Sequence, residues 1–198
     1  MTGFANAYAF RDPASHKEAM GCNVSNPIVD ARGNVLGYAQ TGGMLAPQRY
    51  ALAPGAMLYR FAGPGPSPLE AANGRWWVEH REFEKLFAFA QVHGLAIGMA
   101  MRCLCLVPPE WNKATLLIRA CVVRDLLAWR GLANSVVARI PGTNELVRLP
   151  HQNEIAARRL HQLFIPGLGD ALLKPAALTV ESSYSLEGNE SLRGFLYV

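Results

Sequence analysis

The spacing of apolar residues changes from segment to segment along this chain, and each change marks an element. Residues 78–94, VEHREFEKLFAFAQVHG, put Phe83, Leu86, Phe87 and Ala90 at i, i+3, i+4 and i+7. That period predicts an amphipathic helix, and Gly94 supplies its stop. GAMLYRFAG, 55–63, is a short apolar run between glycines and predicts a strand. The run 95–107 is apolar all round and fits a buried helix or a strand equally. TLLIRACVVRDLLAWRG, 115–131, is rich in Ile and Val, which favours strands at about 117–124 and 127–129. HQLFIPG and ALTVESSYSLE predict two later strands, and ELVRLP a short one after the PGTN turn at 141–144. LRGFLYV is a candidate to close the sheet, and NEIAARRL reads as a helical turn or a loop.

Before residue 57 the pattern is weaker. A turn at Arg32-Gly33-Asn34 leads into a strand at Val35–Ala39, and the rest reads as loop with short strands wrapping a core. GPGPSPLEAANG, 63–74, carries three prolines and reads as a loop. Its prolines lack the N–H donors that a phosphate cradle needs. Many strands with one clear helix predict an α+β class: a single domain over 1–198, with 1–56 as N-terminal decoration and 57–198 as core.

Composition narrows the function classes. With 51% apolar and 17% charged residues over 198 positions, the chain can bury a sizeable core, which excludes a disordered chain. The net charge of +4 suits an anionic ligand, but the basic residues form no dense stripe of the kind a dedicated nucleic-acid binder shows. The four cysteines include no C-x-x-C pair and read as buried thiols in a reducing setting. Cys103 and Cys105 would share a face if their segment were a strand. The start of the chain lacks the pattern of a signal peptide, and 95–107 is too short to span a bilayer. The expectation is a protein with no membrane association, cytoplasmic or exported into a target cell. His151 and Glu154 have metal-like spacing, but a lone pair of that kind predicts no metal site. His80, His93 and His161 read as exposed.

Three short motifs follow one another in an informative order. Tyr59-Arg60 lie in an apolar strand. Asn73-Gly74-Arg75-Trp76-Trp77 follow the Gly/Pro loop. His161-Gln162-Leu163-Phe164-Ile165-Pro166 come late. Together, over about 57–170, they resemble the ADP-ribosyltransferase family. In that family a first strand carries an arginine that holds NAD, a middle strand and helix embrace the nicotinamide, and a late strand carries a catalytic glutamate in a Glu-Val-Leu-Ile-Pro-like run. NGRWW is also similar to the Gly-Arg-Trp of related NAD-cleaving toxins. The departures are plain: no Ser-Thr-Ser motif is present, and Gln162 stands where the glutamate would be.

The resemblance implies a split β-sandwich with flanking helices and NAD as a substrate in its cleft. Tyr59, Arg60, Phe61, Trp76 and Trp77 would contact NAD. Gln162, or Glu154 lending the missing charge, would act in catalysis. Arg60 and Gln162 would sit on neighbouring central strands with side chains facing one cleft within about 10 Å, and opposite faces of the sheet would speak against an NAD site. The reaction would transfer ADP-ribose to a macromolecule, protein or nucleic acid, or to water. The setting would be a small bacterial toxin or effector with an immunity or other partner protein. The same residues also fit a module of this fold that has lost catalysis, or an unrelated α+β protein in which LYRF and FIPG are ordinary core strands.

The chemistry accounts for the residue types. A guanidinium on a rigid strand grips phosphate oxygens bidentately, and flat aromatics stack the leaving ring. A carboxylate steadies the oxocarbenium-like charge. A glutamine keeps hydrogen bonds to the sugar but brings no charge. Strand alternation buries one of Trp76 and Trp77 and leaves the other for a pocket. Trp111 and Trp129 read as packing residues.

Overall fold

The computed structural model describes residues 3–40, 42–108, 111–139, 145–149, 159–171, 173 and 177–186. In chain order the elements are α1 (Ala7–Arg11), α2 (Pro13–Ala19), β1 (Cys22–Val29), β2 (Val35–Gln40), β3 (Met44–Leu52), β4 (Met57–Ala62), α3 (Pro68–Ala71), β5 (Trp76–Glu79), α4 (His80–His93), α5 (Ile97–Cys105), β6 (Leu116–Val122), β7 (Leu126–Ala133), β8 (Val136–Arg139), β9 (Leu146–Leu149), β10 (His161–Phe164) and β11 (Leu178–Ser185).

Seven strands form one sheet in the order β11-β6-β4-β5-β10-β7-β3, with antiparallel pairing throughout. β1-β2 and β8-β9 are separate hairpins. The architecture is mixed, with mainly antiparallel sheets and helices packed on them. β4 and β5 pair only through Leu58 with Glu79 and Tyr59 with Val78, and then part. The sheet therefore has two halves, β11-β6-β4 and β5-β10-β7-β3, joined at a short seam with a fork beyond it.

Both faces of the sheet are covered. Leu58, Trp77, Ile118 and Leu163 pack in one core, and Tyr59, Val78 and Leu117 meet Leu86, Ala100 and Leu104 of α4 and α5 in the other. Double burial explains why β6 reads LLIRACV without alternation. It also explains why 115–131 carried no clear period.

Several expectations change. The ambiguous run 95–107 is a helix, with eight of its nine helical residues buried. Cys103 and Cys105 are buried on that helix, not same-face strand residues. The helix expected from 78 begins at His80, because Val78 and Glu79 complete β5. Its buried face runs through Glu82, Leu86 and Ala90, and Phe87 is exposed. Gly94 ends it in a left-handed conformation, φ 61°. The loop 63–74 holds a helical turn, because Ser67 and Glu70 form a capping box with Pro68 at the first helical position.

The stretch expected as decoration is built into the sheet and tied to it. β3 is an edge strand along β7. Asn6 is fully buried, donates from Nδ2 to the Leu127 and Pro166 carbonyls at 2.7 and 3.0 Å, and accepts from Leu127 N–H at 2.8 Å. The turn at 141–144, most of NEIAARRL and the LRGFLYV segment lie outside the described residues.

Candidate functional site

A cleft of about 510 Å³ opens along the seam of the sheet. Its floor and walls include Tyr59, Arg60 and Phe61 of β4, Trp76 to Val78 of β5, and Gln162 and Phe164 of β10. The far wall comes from the end of α2 and the start of β1, and the end of α5 adds Cys105 and Leu106. A second hollow of about 590 Å³ lies under the 63–74 loop and shares Arg60, Trp111 and Asn112 with the first.

Arg60 sits in the fork between the two halves. Its Nε donates to the Ala71 carbonyl at 2.8 Å, and Nη1 donates to the Trp76 carbonyl at 2.9 Å. Among the described residues no carboxylate pairs with it. Burial pulls its pKa down to about 10, so it stays a cation at neutral pH. Gly74 makes room for the guanidinium: a β-carbon at 74 would collide with Arg60 Cζ and Nη2. Trp77 Nε1 donates to the Gly74 carbonyl at 2.7 Å and holds that turn in place.

Gln162 is 7% exposed, and its Nε2 donates to the Cys105 carbonyl at 3.1 Å. The expected placement on a strand next to Arg60 is corrected, because β5 lies between β4 and β10. The register also turns the two residues to opposite faces. Tyr59 pairs with Val78, and Leu163 with Trp77. Arg60 therefore shares a face with Trp77 and Leu163, and Gln162 shares one with Val78 and Tyr59. Both line the same cleft, so the expected shared cleft stands and the expected shared face does not.

The aromatic candidates divide. Trp77 is core at 2% exposed. Trp76 is half-buried and meets Phe164 edge-on, with centroids 5.1 Å apart. Tyr59 and Phe61 are buried, contributing one wall of the cleft and no free face. Tyr59 stacks on Phe83 at 3.9 Å and bonds His80 Nδ1 through its hydroxyl. Glu154 lies outside the described residues. Trp129 packs, stacked on Phe10 at 4.3 Å. Trp111, expected to pack, is instead 46% exposed where the two hollows meet.

Three groups were not anticipated. Arg75 ion-pairs with Glu18 across the cleft, and its guanidinium lies 5.1 Å over the Phe164 ring. Arg75 was legible within NGRWW, but Glu18, 57 positions away, carried no signal. Buried Glu82 is the centre of a charged cluster behind β10. It accepts from Lys85, from Arg130 at 3.0 Å and from His161 N–H at 3.1 Å. Burial pushes its carboxyl up, but the hydrogen bonds from Lys85 and His161 outweigh that and hold it below its usual range. His161, expected as exposed, is half-buried beside this carboxylate, and burial together with Arg130 lowers its pKa. Cys105 lines the cleft, but burial and then Glu82 push its thiol up to about 12, so it stays protonated and is no nucleophile.

No family model and no curated protein matches the chain. Among solved structures, one described as "Rhs1-CT in complex with cognate immunity protein RhsI1" is similar at 12% identity with a TM-score of 0.39. The match covers 72% of this chain and 83% of that one. At that score the likeness does not identify a common fold. Among the described residues no single helix is long and apolar enough to cross a membrane.

Proposed function

We propose that the cleft binds NAD and that the chain cleaves its nicotinamide–ribose bond, passing ADP-ribose to a macromolecular acceptor or to water. One observation carries the reading. Arg60 is a half-buried guanidinium with no carboxylate partner among the described residues, held at the fork of a split sheet and at the edge of an aromatic-lined cleft. A partly desolvated, unneutralised cation in a concave site favours a ligand anion that completes it. A diphosphate does so bidentately.

The surroundings support the same ligand. The strands carrying Arg60, Trp76 and Gln162 are consecutive in the sheet, as β4, β5 and β10. Trp76, half-buried on the cleft wall, offers ring surface for a nicotinamide, and buried Phe164 backs it edge-on. Asn112, whose Nδ2 donates to the Phe61 carbonyl at 3.0 Å, and Trp111 flank the way into the second hollow. The role of toxin or effector, with an acceptor and an immunity or other partner protein, comes from the sequence resemblance and is part of the proposal.

A second reading is a module of this kind that binds NAD without cleaving it. The observation in its favour is that Gln162 spends its amide on the Cys105 carbonyl. One experiment separates the two. Purified protein is given NAD, and both nicotinamide release and the shift in melting temperature are measured. The enzyme reading expects release and a shift, because a ligand that binds only the folded state stabilises it. The binding reading expects the shift alone. Arg60→Lys keeps the charge but loses the planar fork, and it should diminish the shift in either case. Neither signal from the wild-type chain would end both readings.

A further inference from the structure

We propose that Glu18 supplies the carboxylate charge that the cleft needs for bond cleavage, in place of Gln162. The inference rests on the reading of the cleft as an NAD site. Glu18 is the sole carboxylate among the described residues lining it. It stands in the last turn of α2, and its neighbour Ala19 packs with Phe164 and Trp76, the two rings of the floor. Its side chain is 22% exposed. Gln162 and Phe164 lie two residues apart on one strand and point to the same face. The neutral amide and the carboxylate therefore flank the same ring. Gln162 is neutral and already bonded to Cys105, so among the described residues the anion comes from α2.

The ion pair with Arg75 explains how that charge is kept and released. A partly exposed pair holds its partners weakly, at about 0–1 kcal/mol. A phosphate offers the guanidinium two oxygens in matching geometry and displaces the carboxylate. NAD whose diphosphate, held at Arg60, also reaches Arg75 in the same cleft leaves Glu18 free beside the ribose. The bond from ribose C1′ to the pyridinium nitrogen then breaks, and its electron pair leaves with nicotinamide, which departs neutral. The positive charge shared by C1′ and the ring oxygen faces the Glu18 carboxylate. Water adds to C1′ through an oxygen lone pair, and its proton passes to Glu18 and on to solvent. The products are ADP-ribose, nicotinamide and one proton. An acceptor hydroxyl or amine in place of water gives the same balance.

The test measures nicotinamide release against NAD concentration, with NAD-dependent thermal shifts, for wild type, Glu18→Gln, Glu18→Asp and Arg75→Ala. Glu18→Gln should lose about 10²–10³ in kcat, the size expected for one lost electrostatic contact to the transition state. Its KM should be unchanged or lower, because Arg75 is freed for phosphate. Glu18→Asp should recover part of the loss, and Arg75→Ala should act mainly on KM. A pair that only props the cleft wall would give Glu18→Gln and Arg75→Ala the same rise in KM with little change in kcat, and that result overturns the proposal. So does wild-type kcat in Glu18→Gln. Wild type that binds NAD without releasing nicotinamide overturns the role of Glu18 and leaves the NAD site standing. Wild type that neither binds nor cleaves NAD overturns both.

Discussion

At the scale of single residues, the space around Arg60 is set by Gly74. Replacing Gly74 with Ala puts a methyl group where the guanidinium now lies. Gly74 is not among the positive-φ glycines, so the backbone tolerates Ala and the collision is the main effect. NAD affinity in Gly74→Ala should fall at least about tenfold, a loss of about 1.4 kcal/mol, with little change in unliganded melting temperature; titration calorimetry reads both affinities. Gln162→Glu makes a different case. The new carboxylate cannot donate to the Cys105 carbonyl and meets it with a negative charge. The variant should lose about 1–3 kcal/mol of stability in urea unfolding, the cost of an unmade buried hydrogen bond. Unchanged stability would mean that the Cys105 bond contributes nothing. Arg60 was legible because an arginine amid Leu58, Tyr59, Phe61 and Ala62 between glycines needs a reason. The division of Trp76 from Trp77 followed from strand alternation. The opposing faces of Arg60 and Gln162 were not legible, because they depend on the β4–β5 and β5–β10 registers, which local sequence does not encode.

At the scale of elements, α4 shows how a charge can reset a helix face. Phe83, Leu86, Phe87 and Ala90 have the right spacing for burial, yet Phe87 is out and Glu82 is in. Lys85 from the same helix, Arg130 from β7 and the His161 N–H from β10 meet that carboxylate, and no hydrophobic count can anticipate partners from three elements. The cluster predicts a two-stage acid sensitivity. His161 has a lowered pKa in the folded chain, so the unfolded chain takes up the proton first. Its contribution is complete above about 6.5 and is lost as pH falls through the lower folded value. Glu82 is also lowered. Its contribution is complete above about 4.5 and is lost as pH falls through its folded value. Glu82→Gln should cost about 2–3 kcal/mol at neutral pH, less than a fully buried pair because Lys85 is half exposed and Arg130 keeps Glu79. Urea midpoints measured from pH 3 to 8 should lose their lower stage in Glu82→Gln and keep the upper one. A variant curve parallel to wild type throughout would remove Glu82 from the account.

At the scale of the whole molecule, the cleft is a product of the N-terminal stretch meeting strands from the middle and later chain. Its floor comes from β4, β5 and β10, but its far wall is α2 and β1, from a stretch whose sequence reads as loose wrapping. The strand assignments within 55–63, 115–131, 161–164 and 178–185 were legible from apolar runs and turn residues. The wall was not, because Gly-rich, short-period segments acquire their place from long-range contacts such as those of Asn6. The central claim is that this cleft takes NAD with its diphosphate at Arg60. The most direct measurement is a crystal structure of the chain with NAD or a non-cleavable analogue. The account predicts phosphate oxygens within hydrogen-bond reach of the Arg60 guanidinium and the nicotinamide ring against Trp76. A dinucleotide bound elsewhere, or a cleft that stays empty at saturating NAD with Arg60 still bonded only to Ala71 and Trp76, would contradict it.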